Sequence, residues 1–351
     1  MKKFMWGSLA TCAVLLCGIA ATGAQDKPAA PAPARVYMVV TNEAQHGGDV
    51  QTLQPQDVKV KMGRDFVKVN ELVPARDNSA DMQLILLIDD TLDPGTFGSY
   101  LGDLRDFIAA QPKTTAIGIA YLSNTTIQIA QNFTADHDAA AKALRLPRGA
   151  LSAMDSPYLS VISLLKGWPQ QKIRREVLLI ADGVDRLRSG GGMGMNRTGS
   201  GFGGAFGPGP GFQGGFGTGF GPAYHSFQTI SPDVDYASET AQASGTLVYS
   251  IFTRGVGRMS RSYWDEQTGL SSLTKLSEET GGECFAIGIQ NPVGYKAYLD
   301  QLQVMLNNQY YLVFQATPGK KGALKAVKVT TEVPNSEIVH GDNVWVPAPG
   351  K

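Results

Sequence analysis

Cysteine, histidine and net charge are all scarce in this chain, and each scarcity narrows what it can do. There are three cysteines, and two of them, Cys12 and Cys17, lie inside an apolar N-terminal stretch. With that stretch removed only Cys284 remains, so no internal disulfide framework holds the fold and a packed core must. Cys284, in Gly-Gly-Glu-Cys-Phe, reads as a small buried strand residue. A catalytic thiol is disfavoured, because His46, His137, His225 and His340 form no constellation with it. Lysine plus arginine equals aspartate plus glutamate at 31 each, so no net field draws the chain to nucleic acid or an anionic membrane. No P-loop, zinc spacing or serine–histidine–acid arrangement is present.

What is there begins with an address. Lys2 and Lys3 precede an apolar run from about Phe4 to Ala21, and Thr22, Gly23 and Ala24 follow. This is the pattern of a secretory signal peptide over 1–24. An uncleaved anchor is opposed by the short, interrupted run, and a lipoprotein by Leu16, where lipidation signals want a small residue before Cys17. The expectation is an exported protein, periplasmic or extracellular, with no membrane span after cleavage. Residues 25–34 form an extended Pro/Ala linker.

The chain is organised around Gln83 to Pro94. Leu84 to Ile88 is a continuous apolar run, suited to a strand buried on both faces of a parallel sheet. It stops abruptly in Asp89, Asp90, Thr91 and Asp93 before Pro94-Gly95 and a helical pattern from Phe97 to Ala110. Further strands are expected over 116–122, with a hairpin partner over 126–133, then over 176–182, 246–252 and 284–289. Helices are expected over 136–144, from Ser156-Pro157 to Gly167, from Ser231-Pro232 to Gly245, and over 270–280 and 293–306. The apolar run Val177 to Ala181 again ends in aspartate, Asp182-Gly183.

Two β-rich ends flank this α/β region of 83–308. Residues 35–75 hold short strand patterns over 36–41, 58–62 and 66–72, and residues 309–347 hold others over 309–316, 323–332 and 344–346. Neither end is long enough to bury a core alone. The expected fold class is therefore α/β, a doubly wound, mostly parallel sheet, with a small β-sandwich-like domain built from both chain ends. Residues 189–222 are about half glycine with phenylalanines spaced through them; with no periodic apolar face they are expected to be a disordered insertion. The basic run Lys172 to Arg175 reads as a solvated face.

Strands ending in Asp89-x-Thr91 and Asp182-Gly183, with a hydroxyl-bearing loop at Ser156 before a helix, resemble the von Willebrand factor A (VWA) domain. Five longer segments resemble a secreted bacterial VWFA-related subgroup seen in Acidobacteria: Leu-Arg-Asp-Phe-Ile (104–108), Ser-Pro-Tyr-Leu-Ser (156–160), Arg-Arg-Glu-Val-Leu-Leu-Ile-Ala-Asp-Gly-Val-Asp-Arg (174–186), Glu-Glu-Thr-Gly-Gly-Glu (278–283) and Asn-Asn-Gln-Tyr-Tyr-Leu (307–312). The resemblance implies a metal-ion-dependent adhesion site, with Asp89, Thr91, Asp93, Ser156 (or Ser152) and Asp182 around a divalent cation. Hard oxygen donors point to Mg²⁺, with Ca²⁺ or Mn²⁺ as alternatives. A protein partner would complete the site with an acidic side chain.

Asp93 stands where the family has a second serine. It is either a direct ligand, a charge repelling an acidic partner, or only the cap of the following helix. The site is accordingly either working or vestigial, and in the second case the chain is a scaffold displaying a self-associating Gly/Phe-rich loop. A haloacid-dehalogenase-type phosphatase with Asp89 as nucleophile, paired with Asp182 and Asp185, is the enzymatic alternative. Thr91 stands where that chemistry wants an acid, so a non-enzymatic binding module is expected.

Overall fold

A computed structural model describes residues 33–152, 154–169, 173–189, 230–256 and 263–349. The expected signal segment, most of the linker and residues 190–222 of the glycine-rich tract lie outside the described residues. In chain order the strands are β1 (Ala34–Glu43), β2 (Val58–Met62), β3 (Asp65–Val67), β4 (Val69–Pro74), β5 (Met82–Asp89), β6 (Thr115–Ser123), β7 (Thr126–Thr134), β8 (Arg174–Ala181), β9 (Thr246–Phe252), β10 (Cys284–Phe285), β11 (Gln309–Ala316), β12 (Ala323–Thr331), β13 (Glu337–His340) and β14 (Asn343–Val346). The helices are α1 (Pro94–Gly98), α2 (Leu101–Ala110), α3 (His137–Lys142), α4 (Pro157–Gly167), α5 (Arg186–Ser189), α6 (Pro232–Ser244), α7 (Tyr263–Thr280) and α8 (Lys296–Asn307).

Six strands form the central sheet in the order β10-β9-β8-β5-β6-β7. All neighbours are parallel except β7, which returns antiparallel on β6. Asn124 and Thr125, both at positive φ, make the tight turn of that hairpin, a conformation whose twist matches the flanking strands. β5 and β8 are adjacent, with Ile88 opposite Ile180. Their side chains alternate between two covered faces. Leu84, Leu86, Ile88, Leu178 and Ile180 pack with Leu104, Ile108, Leu299 and Leu302 from α2 and α8. Ile85, Leu87, Val177, Leu179 and Ala181 pack with residues of α4, α6 and α7. Each fully buried Leu or Ile contributes about 1.5–3 kcal/mol relative to exposure, and this double cover is why both runs are continuously apolar.

Helix starts follow local chemistry. Asp93, Ser156 and Ser231 cap α1, α4 and α6 with their side-chain oxygens, and proline occupies the first turn of each, where its missing N–H costs nothing. Gly245 ends α6 in the left-handed conformation.

The two chain ends share two four-stranded sheets, β13-β1-β11-β4 and β14-β12-β2-β3. β1 runs antiparallel to β11 and β2 to β12. Val36, Val40, Val60, Leu312, Phe314 and Val329 are among the side chains buried between the sheets. Val39 and Tyr311 face the other way, against the α/β core.

Several elements differ from expectation. The helix expected over 97–110 is two, α1 and α2, broken where Tyr100 turns inward to donate to the Pro292 carbonyl at 2.6 Å and stack on Tyr295 at 4.1 Å. The strand over 66–72 splits at Lys68 because β3 pairs with β2 in one sheet and β4 with β11 in the other. Only Cys284–Phe285 of the strand expected over 284–289 is formed, because the chain folds back in a bridge between Ile287 and Gln290. The reading of Lys172 to Arg175 as solvated is wrong for its arginines. Arg174 is buried, donating to the carbonyls of Leu306 (2.9 Å) and Ala80 (3.0 Å) and to Gln309 Oε1 (2.7 Å); Arg175 is buried beside it. Among the described residues no helix is long and apolar enough to cross a membrane.

Candidate functional site

The chain runs from β5 outward to β6 and β7 on one side, then returns to place β8 and β9 on the other. The gap between the carboxyl ends of β5 and β8 is thus the topological switch point, where open α/β sheets bind ligands. Asp89 ends β5 and Asp182 follows β8, and both are buried. Asp89 Oδ1 accepts from the Thr91 N–H at 2.8 Å, and Asp182 Oδ1 from the Val184 N–H at 3.0 Å. These short loops aim both carboxyl groups at the same space.

Burial pushes the Asp89 carboxyl up to about 6, and the neighbouring Asp182 carboxylate adds to the shift. The Arg186 guanidinium and the Thr91 N–H oppose it. Thr91 is buried, and its hydroxyl lies against the Asp89 carboxyl without a hydrogen bond of good geometry. Ser156 is buried; its hydroxyl oxygen caps α4, accepting from the Leu159 N–H at 3.5 Å, and the hydroxyl also hydrogen-bonds the Asp185 carboxyl. Ser152, the alternative hydroxyl, caps the local turn through the Met154 N–H at 3.1 Å.

Asp93 serves as a helix cap. Its Oδ2 accepts from Thr96 N–H at 2.8 Å and Thr96 Oγ1 at 2.6 Å. Asp90 turns the opposite way from Asp89, as successive strand-end residues must. It takes a bidentate contact from Arg145 at 2.6 and 3.1 Å and the Arg148 N–H at 2.9 Å. That pair pins the loop before α4 onto the end of β5.

Sequence reasoning missed Arg186. Its Nη2 donates to Asp182 Oδ2 at 2.5 Å, and its side chain is only 12% exposed. The carboxylates of Asp182, Asp89 and Asp155 all stabilise its charge against burial. A basic residue four positions after an acid was available as a signal, but one turn of helix had to start there for it to matter. Asp155 was also missed; it accepts from the backbone N–H groups of Asn124 (2.6 Å) and Ser152 (2.9 Å), joining the β6–β7 turn to the α4 loop. Asp185 accepts from Ser231 Oγ at 2.7 Å, and Arg188 makes a bidentate pair with Asp233 at 3.0 Å. Both contacts cross the base of the glycine-rich tract.

The donor set does not fit a resident divalent ion as arranged. Asp93 is turned to Thr96, and Asp182 to Arg186.

α7 closes the far side. Its Gly269 meets the Asp182–Gly183 turn so closely that a Cβ on Gly183 would lie 2.2 Å from the Gly269 carbonyl oxygen. Tyr158 of α4 donates to the Gly183 carbonyl at 2.6 Å. Around the buried polar set the loops carry exposed apolar side chains: Leu146, Leu151 and Met154 before α4, and Tyr263 and Trp264, edge to face, in the first turn of α7.

No family model and no curated protein matches this sequence. Solved structures similar to it include an aerotolerance-related membrane protein from Bacteroides fragilis NCTC 9343 with multiple mutations to serines (10% identity, TM-score 0.39, 64% of this chain and 98% of that one). Others are the SpRpn10 VWA domain (10% identity, TM-score 0.33, 63% and 94%) and the human COPII-coat protein Sec24c (10% identity, TM-score 0.38, 76% and 44%). At these values the fold assignment rests on the strand order and connectivity described above.

Proposed function

We propose that this chain is an exported, non-enzymatic protein-binding module of the VWA type, of the secreted bacterial subgroup that its segments resemble. A protein partner docks on the rim above Asp89, Thr91, Asp93, Ser156 and Asp182. One observation carries this reading: at the switch point, buried carboxylates brace the loop before α4, which presents Leu146, Leu151 and Met154 to solvent, and the first turn of α7 presents Tyr263 and Trp264. A rigid polar base under an apolar and aromatic surface is how interface cores are built. The divalent-ion expectation does not fit the donor set and is not part of this reading. Nor does the arrangement favour Asp89 as a phosphate-accepting nucleophile, because Asp185, the supposed second acid, is held by Ser231 and the Arg188 N–H.

The test is in-cell cross-linking of the tagged protein with Met154→Asp and Trp264→Ser alongside, both at exposed positions. A partner cross-linked by the wild type, lost in both variants at unchanged melting temperature, and binding the purified wild type saturably supports the reading. Cross-links that survive both substitutions would place the interface elsewhere and end it.

A further inference from the structure

Two carboxylates brought together at the ends of adjacent buried strands need a positive charge to remain ionised. A divalent ion is one solution. This chain carries another. Arg186 opens α5, one turn beyond Asp182, and its guanidinium reaches back to Asp182 Oδ2 at 2.5 Å while Nη1 faces the Val184 carbonyl at 3.5 Å. The group is nearly as buried as its partners, so this is no solvated surface pair. Asp89 and Asp155 also stabilise its charge, so the guanidinium pairs with Asp182 and offsets part of the repulsion between the two strand ends. A guanidinium stays charged under all ordinary conditions, which a lysine or histidine in the same place need not.

A second observation points to the same space independently. The Thr91 hydroxyl, 2% exposed, finds no hydrogen bond of good geometry, although a buried hydroxyl ordinarily takes one. It is an oxygen whose one neighbour of note is the Asp89 carboxyl, so Thr91, Asp89 and Asp182 are the hard-oxygen side chains that would remain if the guanidinium withdrew.

We infer that Arg186 is the resident cation of this site, a built-in side chain standing where a divalent ion would sit, so that the rim is assembled and binds without metal. The inference rests on the proposed function only for the word "binds". The occupancy of the site by Arg186 stands on the geometry alone.

The experiment is Mn²⁺ titration, followed by the electron paramagnetic resonance signal of free ion, into EDTA-treated and dialysed protein, with thermal melting in Mg²⁺, Mn²⁺ and Ca²⁺ in parallel. Wild type should bind no Mn²⁺ up to millimolar concentration, and its melting temperature should be the same in EDTA and in each metal. Arg186→Gln, which removes the charge but keeps a comparable length, should acquire at least tenfold tighter Mn²⁺ binding than wild type. That gain should vanish in Arg186→Gln/Asp182→Asn and in Arg186→Gln/Asp89→Asn. Stoichiometric Mn²⁺ on the wild type, lost in Asp89→Asn, would overturn the inference, and this arm stands even where Arg186→Gln fails to fold. Folded Arg186→Gln with no gain in affinity would overturn it too, because the guanidinium would not then be occupying an ion's position. Neither metal result bears on whether Met154→Asp and Trp264→Ser lose a partner, so the two proposals fail separately.

Discussion

Arg186 Nη2 donates to Asp182 Oδ2 at 2.5 Å across one turn of chain, with the acid 1% and the base 12% exposed. Removing one member of such a pair leaves a buried charge without its counter-ion, which typically costs about 3–5 kcal/mol. Arg186→Ala in the absence of metal should lose stability in that range by urea denaturation, and Asp89→Asn added to it should recover part of the loss. A change below about 1 kcal/mol would mean the pair is effectively solvated.

Stability should fall as pH rises from mildly acidic to mildly alkaline. Glu176 lies fully buried within β8, and burial pushes its carboxyl up to about 8 despite the neighbouring Arg174. Glu43 is raised to about 7, by burial and then by Glu283 and Glu337. A carboxyl raised in the folded state contributes fully below its unfolded value near 4.5 and loses that contribution as pH rises through the folded value. Equilibrium unfolding at pH 5, 7 and 8.5 should therefore show a steady decline. Glu176→Gln should flatten its upper part and exceed wild type at pH 8.5 by an amount of order a few kcal/mol. Parallel pH profiles for the two proteins would refute the assignment.

Gly183 and Gly269 form a contact that no side chain can enter. Gly183 has φ of +68°, and a Cβ there would lie 2.2 Å from the Gly269 carbonyl oxygen; one on Gly269 would lie 2.3 Å from the Asp182 carbonyl oxygen. Gly183→Ala should cost roughly 2–4 kcal/mol, from strained backbone and forced separation of α7. Gly102→Ala, in open space on α2, is the control and should be neutral or stabilising. Comparable melting temperatures for the two variants would sink the argument.

Asp93 is engaged as a cap by Thr96. Asp93→Ala should cost about 1 kcal/mol, and Asp93→Asn, which can still accept, much less. Neither substitution should alter the response of Arg186→Gln to Mn²⁺. A lost response in Asp93→Asn would make the carboxylate a ligand.

The tract between Ser189 and Ile230 leaves and rejoins the body beside two cross-contacts, Arg188 with Asp233 and Asp185 with Ser231. Replacing 190–229 by a short Gly/Ser linker should change stability by only about 1 kcal/mol, because loop-closure entropy varies slowly with length. Loss of several kcal/mol in differential scanning calorimetry would show that the tract contributes packing energy of its own.

The sequence by itself determined the doubly wound sheet. Two apolar runs too short and too continuous for anything but buried strands each end in aspartate, and Ser156-Pro157 and Ser231-Pro232 announce helices through chemistry confined to a few residues. Leu84, Leu86, Ile88, Val177, Leu179 and Ala181 are all fully buried, because double cover leaves strand residues no polar side to show. What only the tertiary structure decided is which charge meets which. Asp89 and Asp182 are 93 positions apart in number and become neighbours only through the parallel pairing of β5 with β8. Asp90, next to Asp89 in sequence, faces away to Arg145 because strand side chains alternate. Arg174 and Arg175, charged residues at a strand start, are buried because the sandwich docks there. Arg186 was visible in the sequence as one base four residues after an acid, an arrangement that on most helices is solvated and worth little. It becomes the cation of the site because β8 delivers Asp182 into a space closed by α4 and α7, where water no longer screens the pair.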